Sequence, residues 1–377
     1  MSQPQKFAII AGQLVVGGAE RQLYLWLKYM DRSRFSPVVI TLHPGHHDHW
    51  ETPIKALDIP LIEIPQSLNR VSRLKSITDS LRPYHPELIH GWHLFSGAYA
   101  GLAGKFLRCK SIGGLRSSFS GHEHSPEAIL TRLFCDAVIV NSSTGAKAYQ
   151  AQAPRRQTIF AVRNAVSQEF IARSEARAEL EQQYHLPQDA FWIGSIGRAD
   201  PLKRFDLLLS ILPALKAKQS SIHLVLIGDG PELPRLREQA ESSGLTSSVT
   251  FTGELPDAGR YMKAFDLFCL PSLSEGMPNV ILEAAAAGLP IVTWDLPFYQ
   301  EILENGKTGL LVEAGNVEKL EEAVTRLIES PQLRAQLGAE AQAHIMREFS
   351  LERYIRSMTA AYDELLNNPP AGASGNP

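Results

Sequence analysis

Short β-branched or apolar runs alternate with longer stretches of helical period along almost the whole chain, and this alternation restricts the fold more than any other feature. Strands separated by a helix-length segment cannot pair as tight hairpins and instead pair in parallel through crossover helices. In the first half the strand-like runs fall at 7–11, 37–42, 61–64, 88–90, 111–115, 137–140 and 158–162. The alternation breaks across 163–184, a polar stretch rich in Arg, Glu and Gln. It resumes at 191–196 and continues at 223–227, 248–251, 267–270, 290–293 and 309–312. The sequence therefore predicts an α/β protein built from two doubly wound, Rossmann-like domains, at 1–165 and 166–350. A helix at 351–367 is expected to pack back on the first domain. The tail 368–377, made of Asn, Pro, Gly, Ala and Ser, cannot bury a core and is expected to be mobile. Sheets of this kind bind ligands beyond the carboxyl ends of their strands, so a site in a cleft between the two domains is expected.

Charge and cysteine content exclude several function classes. With 37 Lys+Arg against 40 Asp+Glu the net charge is −3, so no global field attracts nucleic acid and any anion site must be local. Cys109, Cys135 and Cys269 form no C-x-x-C pair, which argues against a disulfide framework and a cysteine-based zinc site and fits a reducing compartment. The chain opens without a basic, long-apolar leader, and no apolar run reaches membrane-spanning length. The expectation is a cytoplasmic protein that spans no membrane.

The most informative segment is PSLSEGMPNVILEAAAAGLPIV at 271–292, where a strand leads through a Gly-Met-Pro turn into a helix starting near Asn279. A helix N-terminus offers unpaired amides and a favourable dipole to an anionic oxygen such as a phosphate. Glu275 in the turn can accept hydrogen bonds from sugar hydroxyls, and Glu283, about one turn into the helix, can bridge the vicinal hydroxyls of a ribose. Either glutamate alone also reads as a solvated loop or helix-face residue. Two acceptors flanking an anion site match a nucleotide sugar. A second segment, GSIGRADPLKRFDLLL at 194–209, sends Arg198, Lys203 and Arg204 out of a strand end just before a helix. Cations at that position oppose the helix dipole, so their presence calls for an anion. A guanidinium and an ammonium can neutralise a departing diphosphate where other enzymes employ a divalent metal.

These segments, with their E-x7-E spacing and the later NGKTGLLV, resemble the retaining glycosyltransferases of family 4, the group 1 type. In the N-terminal half the resemblance extends to GGAERQL after the first strand, and to IVNSS and VRNAVS. It implies the GT-B fold, two Rossmann-like domains facing across a cleft, with the nucleotide sugar held mainly by the second and the acceptor by the first. Carried over position by position, it gives Arg198 and Lys203 the diphosphate, Glu275 the donor-sugar hydroxyls and Glu283 the ribose. The backbone of Gly276, Met277, Pro278 and Asn279 would line the sugar and phosphate, and Gly253 to Leu255 the base. Gly17 and Gly18 would let the backbone approach the donor, although a plain helix-start turn explains them equally. His93 or His90, in LIHGWHLFSGAYAG, stands where related enzymes place a histidine against a sugar, and either also reads as a buried structural histidine. His93 is the residue assigned here. Arg116, in GGLRSS, would contact a phosphate-bearing or acidic acceptor.

Other motifs fail their own tests. Gly12-x4-Gly17 is followed by Gly18 and Ala19 where a P-loop needs Lys and Ser/Thr, and Gly228-Asp229-Gly230 is followed by Leu233 where a dinucleotide fingerprint needs glycine. No D-x-D pair occurs, so metal-free chemistry with no required cofactor is expected. His43, His46, His47 and His49 with Asp48 are dense but fall in a loop around Pro44-Gly45 and not on a helix face, and no metal is assigned to them. The sequence thus predicts a retaining hexosyltransferase that moves a sugar from a nucleotide-diphosphate donor to a carbohydrate or lipid-linked acceptor. Peripheral membrane contact around Lys105, Arg108 and Lys110 at the inner membrane face accompanies that reading. The alternatives are a non-catalytic sugar-nucleotide-binding scaffold, or an epimerase or pyridoxal-dependent phosphorylase on the same fold.

Overall fold

The computed structural model describes residues 3–45, 49–118, 121–166 and 169–367. The described residues form two compact units, one comprising the chain up to Ala165 together with the helix Leu351–Asn367, the other running from Val166 to Ser350. The polar stretch after 162 is divided accordingly. Ala165 belongs to the first unit, and the helix Arg173–Tyr184, which sequence reading left as a break in the alternation, belongs to the second.

The first unit holds a seven-stranded sheet of β1 (Gln5–Ala11), β2 (Phe35–Thr41), β3 (Leu61–Glu63), β4 (Leu88–Gly91), β5 (Lys110–Leu115), β6 (Ala137–Val140) and β7 (Thr158–Ala161), in the order β3-β2-β1-β4-β5-β6-β7. The second holds six strands, β8 (Phe191–Ile196), β9 (Ile222–Ile227), β10 (Val249–Gly253), β11 (Leu267–Leu270), β12 (Ile291–Trp294) and β13 (Leu310–Val312), in the order β10-β9-β8-β11-β12-β13. Every strand pairing is parallel. In both units the chain reverses its direction of winding once, between β1 and β4 and between β8 and β11. Such a switch point is where doubly wound sheets open a crevice for a ligand.

The strands read as continuous apolar runs because helices cover both faces. In β1, Phe7, Ile9 and Ala11 enter one core while Ala8 and Ile10 enter the other, the two-residue period of a strand buried on both sides. The C-terminal helix Leu351–Asn367 closes the first of these cores with Tyr354, Met358, Ala361, Tyr362 and Leu365, spaced along one face of a 3.6-residue helix. Tyr362 packs edge-on against Phe7 and Trp26, with ring centroids 5.1 and 5.3 Å away. The C-terminal helix is therefore an integral part of the first unit. The tail 368–377 lies outside the described residues.

Candidate functional site

In the second unit the chemistry gathers at the switch point. After β8 the chain makes a short 3-10 turn, Pro201–Lys203, started by Asp200, whose carboxylate accepts from the amides of Leu202 and Lys203 at 2.9 and 3.3 Å. This turn carries Lys203 across to the loop after β11. There the Lys203 ammonium donates to the Glu275 carboxylate, and the Leu273 amide donates to the Leu202 carbonyl at 2.8 Å. Both side chains of the pair are mostly buried, 17% exposed for Lys203 and 13% for Glu275. An ammonium has three donors, and only one is used on Glu275. Arg198 is exposed at the start of the same loop. Arg204, the third cation of the segment, folds back onto Asp206 with two contacts of 3.1 Å.

The helix after the acidic loop, Asn279–Ala286, begins at Pro278, and no side chain caps it. Met277 and Pro278 are buried under the turn, while Gly276, Asn279 and Glu283 are half-buried, with Glu283 one turn into the helix. Sequence reading missed the residues that hold this loop in place. Thr293 and Trp294, from β12, donate to the carbonyls of Leu270 and Pro271 at 2.7 Å each. The Tyr299 hydroxyl reaches the Leu270 and Ser272 carbonyls at 3.1 and 3.4 Å. Burial, followed by the Glu275 charge, pushes the Tyr299 pKa well above its ordinary value and keeps the phenol a donor. Polar-tipped aromatics just after an apolar strand were the available signal.

The glycine pair Gly228 and Gly230, which superficially begins a dinucleotide fingerprint, has a packing reason instead. A Cβ on Gly228 would stand 1.9 Å from the Gly197 carbonyl oxygen, and one on Gly230 2.4 Å from that of Ala199; both have positive φ, +137° and +157°. The turn after β9 lies directly against the loop that carries Arg198. Gly253, at the end of β10, has φ +72°, and its carbonyl accepts the Gly228 amide at 2.8 Å, while Leu255 packs half-buried on the core of this unit.

The first unit has a polar cluster of its own at its switch point. Gly17 precedes the helix Gly18–Tyr29, and the buried Glu20 of its first turn contacts His93 Nε2 at 3.1 Å. His93 begins the helix Leu94–Leu107 after β4, and the Ser96 hydroxyl accepts its backbone amide at 3.0 Å. Its side chain remains 27% exposed. His90 is fully buried in the core, with Nδ1 2.9 Å from the Tyr362 hydroxyl. Desolvation, then the nearby Arg116 and His93, hold its pKa well below the ordinary imidazole value. Arg116 is also buried. Its guanidinium lies 4.0 Å from the Trp92 ring centroid, and its three nitrogens have no hydrogen-bond partner among the described residues. Burial lowers its pKa. Gln22, from the same GGAERQL motif as Glu20, clamps the backbone of Ala165 through its amide and carbonyl at 2.8 and 2.9 Å.

Among the described residues no group of three or more His, Cys, Asp or Glu side chains could hold a metal ion. His46, His47 and Asp48 lie outside them. His43 stacks on Phe95 and His49 meets the edge of Trp50. Lys105 lies 3.3 Å from Asp136, and among the described residues no helix is long and apolar enough to cross a membrane.

Family models locate these two clusters within known sequence patterns. The model for glycosyl transferases group 1 matches residues 176–344, which include Arg198, Lys203, Glu275 and Glu283, and the model for glycosyltransferase family 4 matches residues 16–170. The chain belongs to the group 1 glycosyltransferases. Among relatives of this group 1 glycosyltransferase, a GDP-mannose-dependent α-(1-6)-phosphatidylinositol monomannoside mannosyltransferase of Mycobacterium tuberculosis is 28% identical over 276 residues, 67% of this chain and 71% of that one. An uncharacterized glycosyltransferase of Haemophilus influenzae is 31% identical over 43% of this chain and 46% of its own length. The lipopolysaccharide core biosynthesis glycosyltransferase LpsE of Rhizobium meliloti is 31% identical over 49% of this chain and 52% of its own. The match thus spans about half the length of the last two. Among solved structures, Anabaena Alr3699/HepE in complex with UDP-glucose superposes with a TM-score of 0.83 at 23% identity, covering 96% of this chain and 100% of that one. Sucrose-phosphate synthase from Thermosynechococcus elongatus gives 0.76 at 20% identity, covering 96% and 99%. At these identities the likeness shows the fold, which is GT-B.

Proposed function

We propose that the protein transfers a sugar from a nucleotide-diphosphate sugar to an acceptor hydroxyl, with retention at the anomeric carbon, in the building of a glycolipid or polysaccharide. The observation that carries this reading is the meeting of two loops at the second unit's switch point, where the Lys203 ammonium is fixed on Glu275 and an exposed guanidinium, Arg198, stands on the same loop. In this reading the remaining Lys203 donors and Arg198 take the diphosphate, together with amides at the start of the helix Asn279–Ala286. Glu275 and Glu283 accept from the sugar and ribose hydroxyls, and Gly253 to Leu255 lie along the base. Fixed positive charge beside the leaving group lowers the barrier because it is already oriented when charge develops. Glu275 is tied to Lys203 and is assigned to binding. The departing diphosphate oxygen then takes the acceptor proton on the face where the new bond forms, and the protein's part is to orient the reactants. The relatives' printed activities, on a phosphatidylinositol mannoside and on lipopolysaccharide core, support a lipid-linked acceptor, with the first unit receiving it.

The test is incubation with UDP-, GDP- and ADP-sugars and lipid or oligosaccharide acceptors. Nucleoside diphosphate release coupled to a product of unchanged anomeric configuration by NMR supports the reading. Binding without release favours the scaffold, and an inverted product overturns the stereochemistry.

A further inference from the structure

Three buried polar groups without partners stand on one face of the first sheet. His90 is level with Ile112 of β5, and Ile112 with Ala137 of β6. The two-residue period of a strand then puts Trp92, Arg116 and Asn141, the residues just past the ends of β4, β5 and β6, on the same face as His90. There His90 Nε2, Asn141 Oδ1 and all three Arg116 nitrogens are buried with no hydrogen-bond partner among the described residues. Their surroundings are fixed. The Trp92 indole donates to the Ala19 carbonyl at 2.8 Å, and the Asn141 amide donates to the Arg116 carbonyl at 3.1 Å. A Cβ on Gly114 would stand 2.1 Å from the Trp92 carbonyl oxygen, so glycine there lets the chain after β4 run tight against β5 and brings the indole under the guanidinium.

Arg73, the other buried arginine among the described residues, gives its guanidinium to the Gln66 carbonyl at 2.8 Å. Arg116 is 9% exposed and makes no such bond. Among the described residues the groups acting on its charge are the phenols of Tyr354 and Tyr362, not a carboxylate. A buried charge without a counter-charge destabilises a fold, and stacking on an indole offsets only part of that. We propose that Arg116 is an anion-binding residue of the first unit, taking a carboxylate or phosphate group of the acceptor, with Asn141 Oδ1 accepting from a hydroxyl of the same ligand. A guanidinium fork meets two oxygens of such a group at once. Its position just past β5 lies at the carboxyl edge of the sheet, where parallel sheets receive ligands. The fork stacks inward on Trp92, so binding requires the side chain to rotate toward that edge. The rotation breaks no hydrogen bond of the guanidinium to the described residues. That the anion belongs to an acceptor rests on the sugar-transfer reading, whereas the anion site does not.

The experiment measures thermal midpoints of the full chain by differential scanning calorimetry at pH 7.5 and constant ionic strength, with inorganic phosphate, with glucuronate, or with glucose as the neutral control. Every form carries Arg198→Ala and Lys203→Met, which remove the proposed diphosphate cations of the second unit. With Arg116 in place, at least one anion is expected to raise the midpoint of the first unit by about 2–4 °C at roughly five times its Kd. Which anion does so tells phosphate from carboxylate. Adding Arg116→Met is expected to abolish the rise while leaving the ligand-free midpoint at or above that of its parent, because replacing an unpaired buried charge by an apolar chain is neutral or stabilising. Arg116→Lys, which keeps the charge without the fork, is expected to keep only part of the rise. No rise with either anion, an equal rise with glucose, or an equal rise in Arg116→Met overturns the proposal. So does an Arg116→Met midpoint several degrees below its parent, which would make the guanidinium a structural group. No turnover is measured, so failure of the transfer reading leaves this test standing, and its own failure leaves the second unit's site untouched.

Discussion

Lys203→Met separates the two consequences of the ion pair, because methionine keeps most of the aliphatic stem, whose Cε and Cδ lie 3.4 and 3.7 Å from a Cβ built on Gly197, and removes only the charge. At 17% and 13% exposure the pair lies between a surface bridge and a fully buried one. Removing one partner should therefore cost about 2 kcal/mol, between the roughly 0–1 of exposed pairs and the 3–5 of buried ones. Each kcal/mol moves the midpoint of a unit this size by roughly 2–4 °C, so thermal unfolding should shift down by about 4–8 °C. Losing a fixed charge from the leaving group should lower kcat about 10²–10³-fold. Adding Glu275→Gln removes the stranded carboxylate. The double variant should regain much of the lost thermal midpoint and none of the lost rate. Initial-rate measurement of nucleoside diphosphate release, with differential scanning calorimetry on the same samples, reads both. Turnover within about threefold of wild type in Lys203→Met, or recovery of activity in the double variant, would refute the reasoning.

Gly228→Ala should lower stability by at least 3 kcal/mol and impair turnover, since its Cβ would meet the Gly197 carbonyl oxygen at 1.9 Å and backbone cannot yield cheaply; chemical denaturation checks this. Gly17→Ala should displace Glu20 from His93 and lower kcat/KM with little change in unfolding midpoint, a pairing that kinetics and calorimetry together can deny. Tyr299→Phe takes the hydroxyl donor from the Ser272 carbonyl and leaves Thr293 as the side-chain donor on the Leu270 carbonyl, and should cost about 1 kcal/mol, with the midpoint in urea as the readout. Burial and the nearby Lys216 lower the His223 pKa from 6.5 to about 4. The unfolded chain takes up this proton at higher pH than the folded one, so the stability involved is full above about pH 6.5 and is lost as pH falls toward 4. Wild type should therefore lose more thermal midpoint than His223→Gln between pH 7.5 and 5.

The thirteen strands among the described residues were legible, because a parallel sheet covered on both faces leaves apolar runs that no solvent-facing strand would show. The two segments after β8 and β11 were legible as chemistry, because each concentrates charged residues where a strand has just ended. Their partnership was not. Nothing local in the sequence says that Lys203 reaches Glu275, 72 residues away, or that Arg204 turns to Asp206 instead. Glu20 was visible only as a letter within GGAERQL, since its contact is with a histidine that begins a helix more than 70 residues later. Arg116 followed a strand end as an exposed ligand-binding residue would, yet its guanidinium stacks inward on Trp92. Sequence order states which strand edge a residue leaves from. It does not state the rotamer.

The central claim is that the loops after β8 and β11 hold a sugar nucleotide through its diphosphate. A crystal of the full chain grown with UDP- or GDP-sugar tests it most directly. The account predicts pyrophosphate oxygens within about 3 Å of Arg198 and Lys203, with sugar and ribose hydroxyls on Glu275 and Glu283. Nucleotide bound elsewhere, with both loops bare, would contradict it.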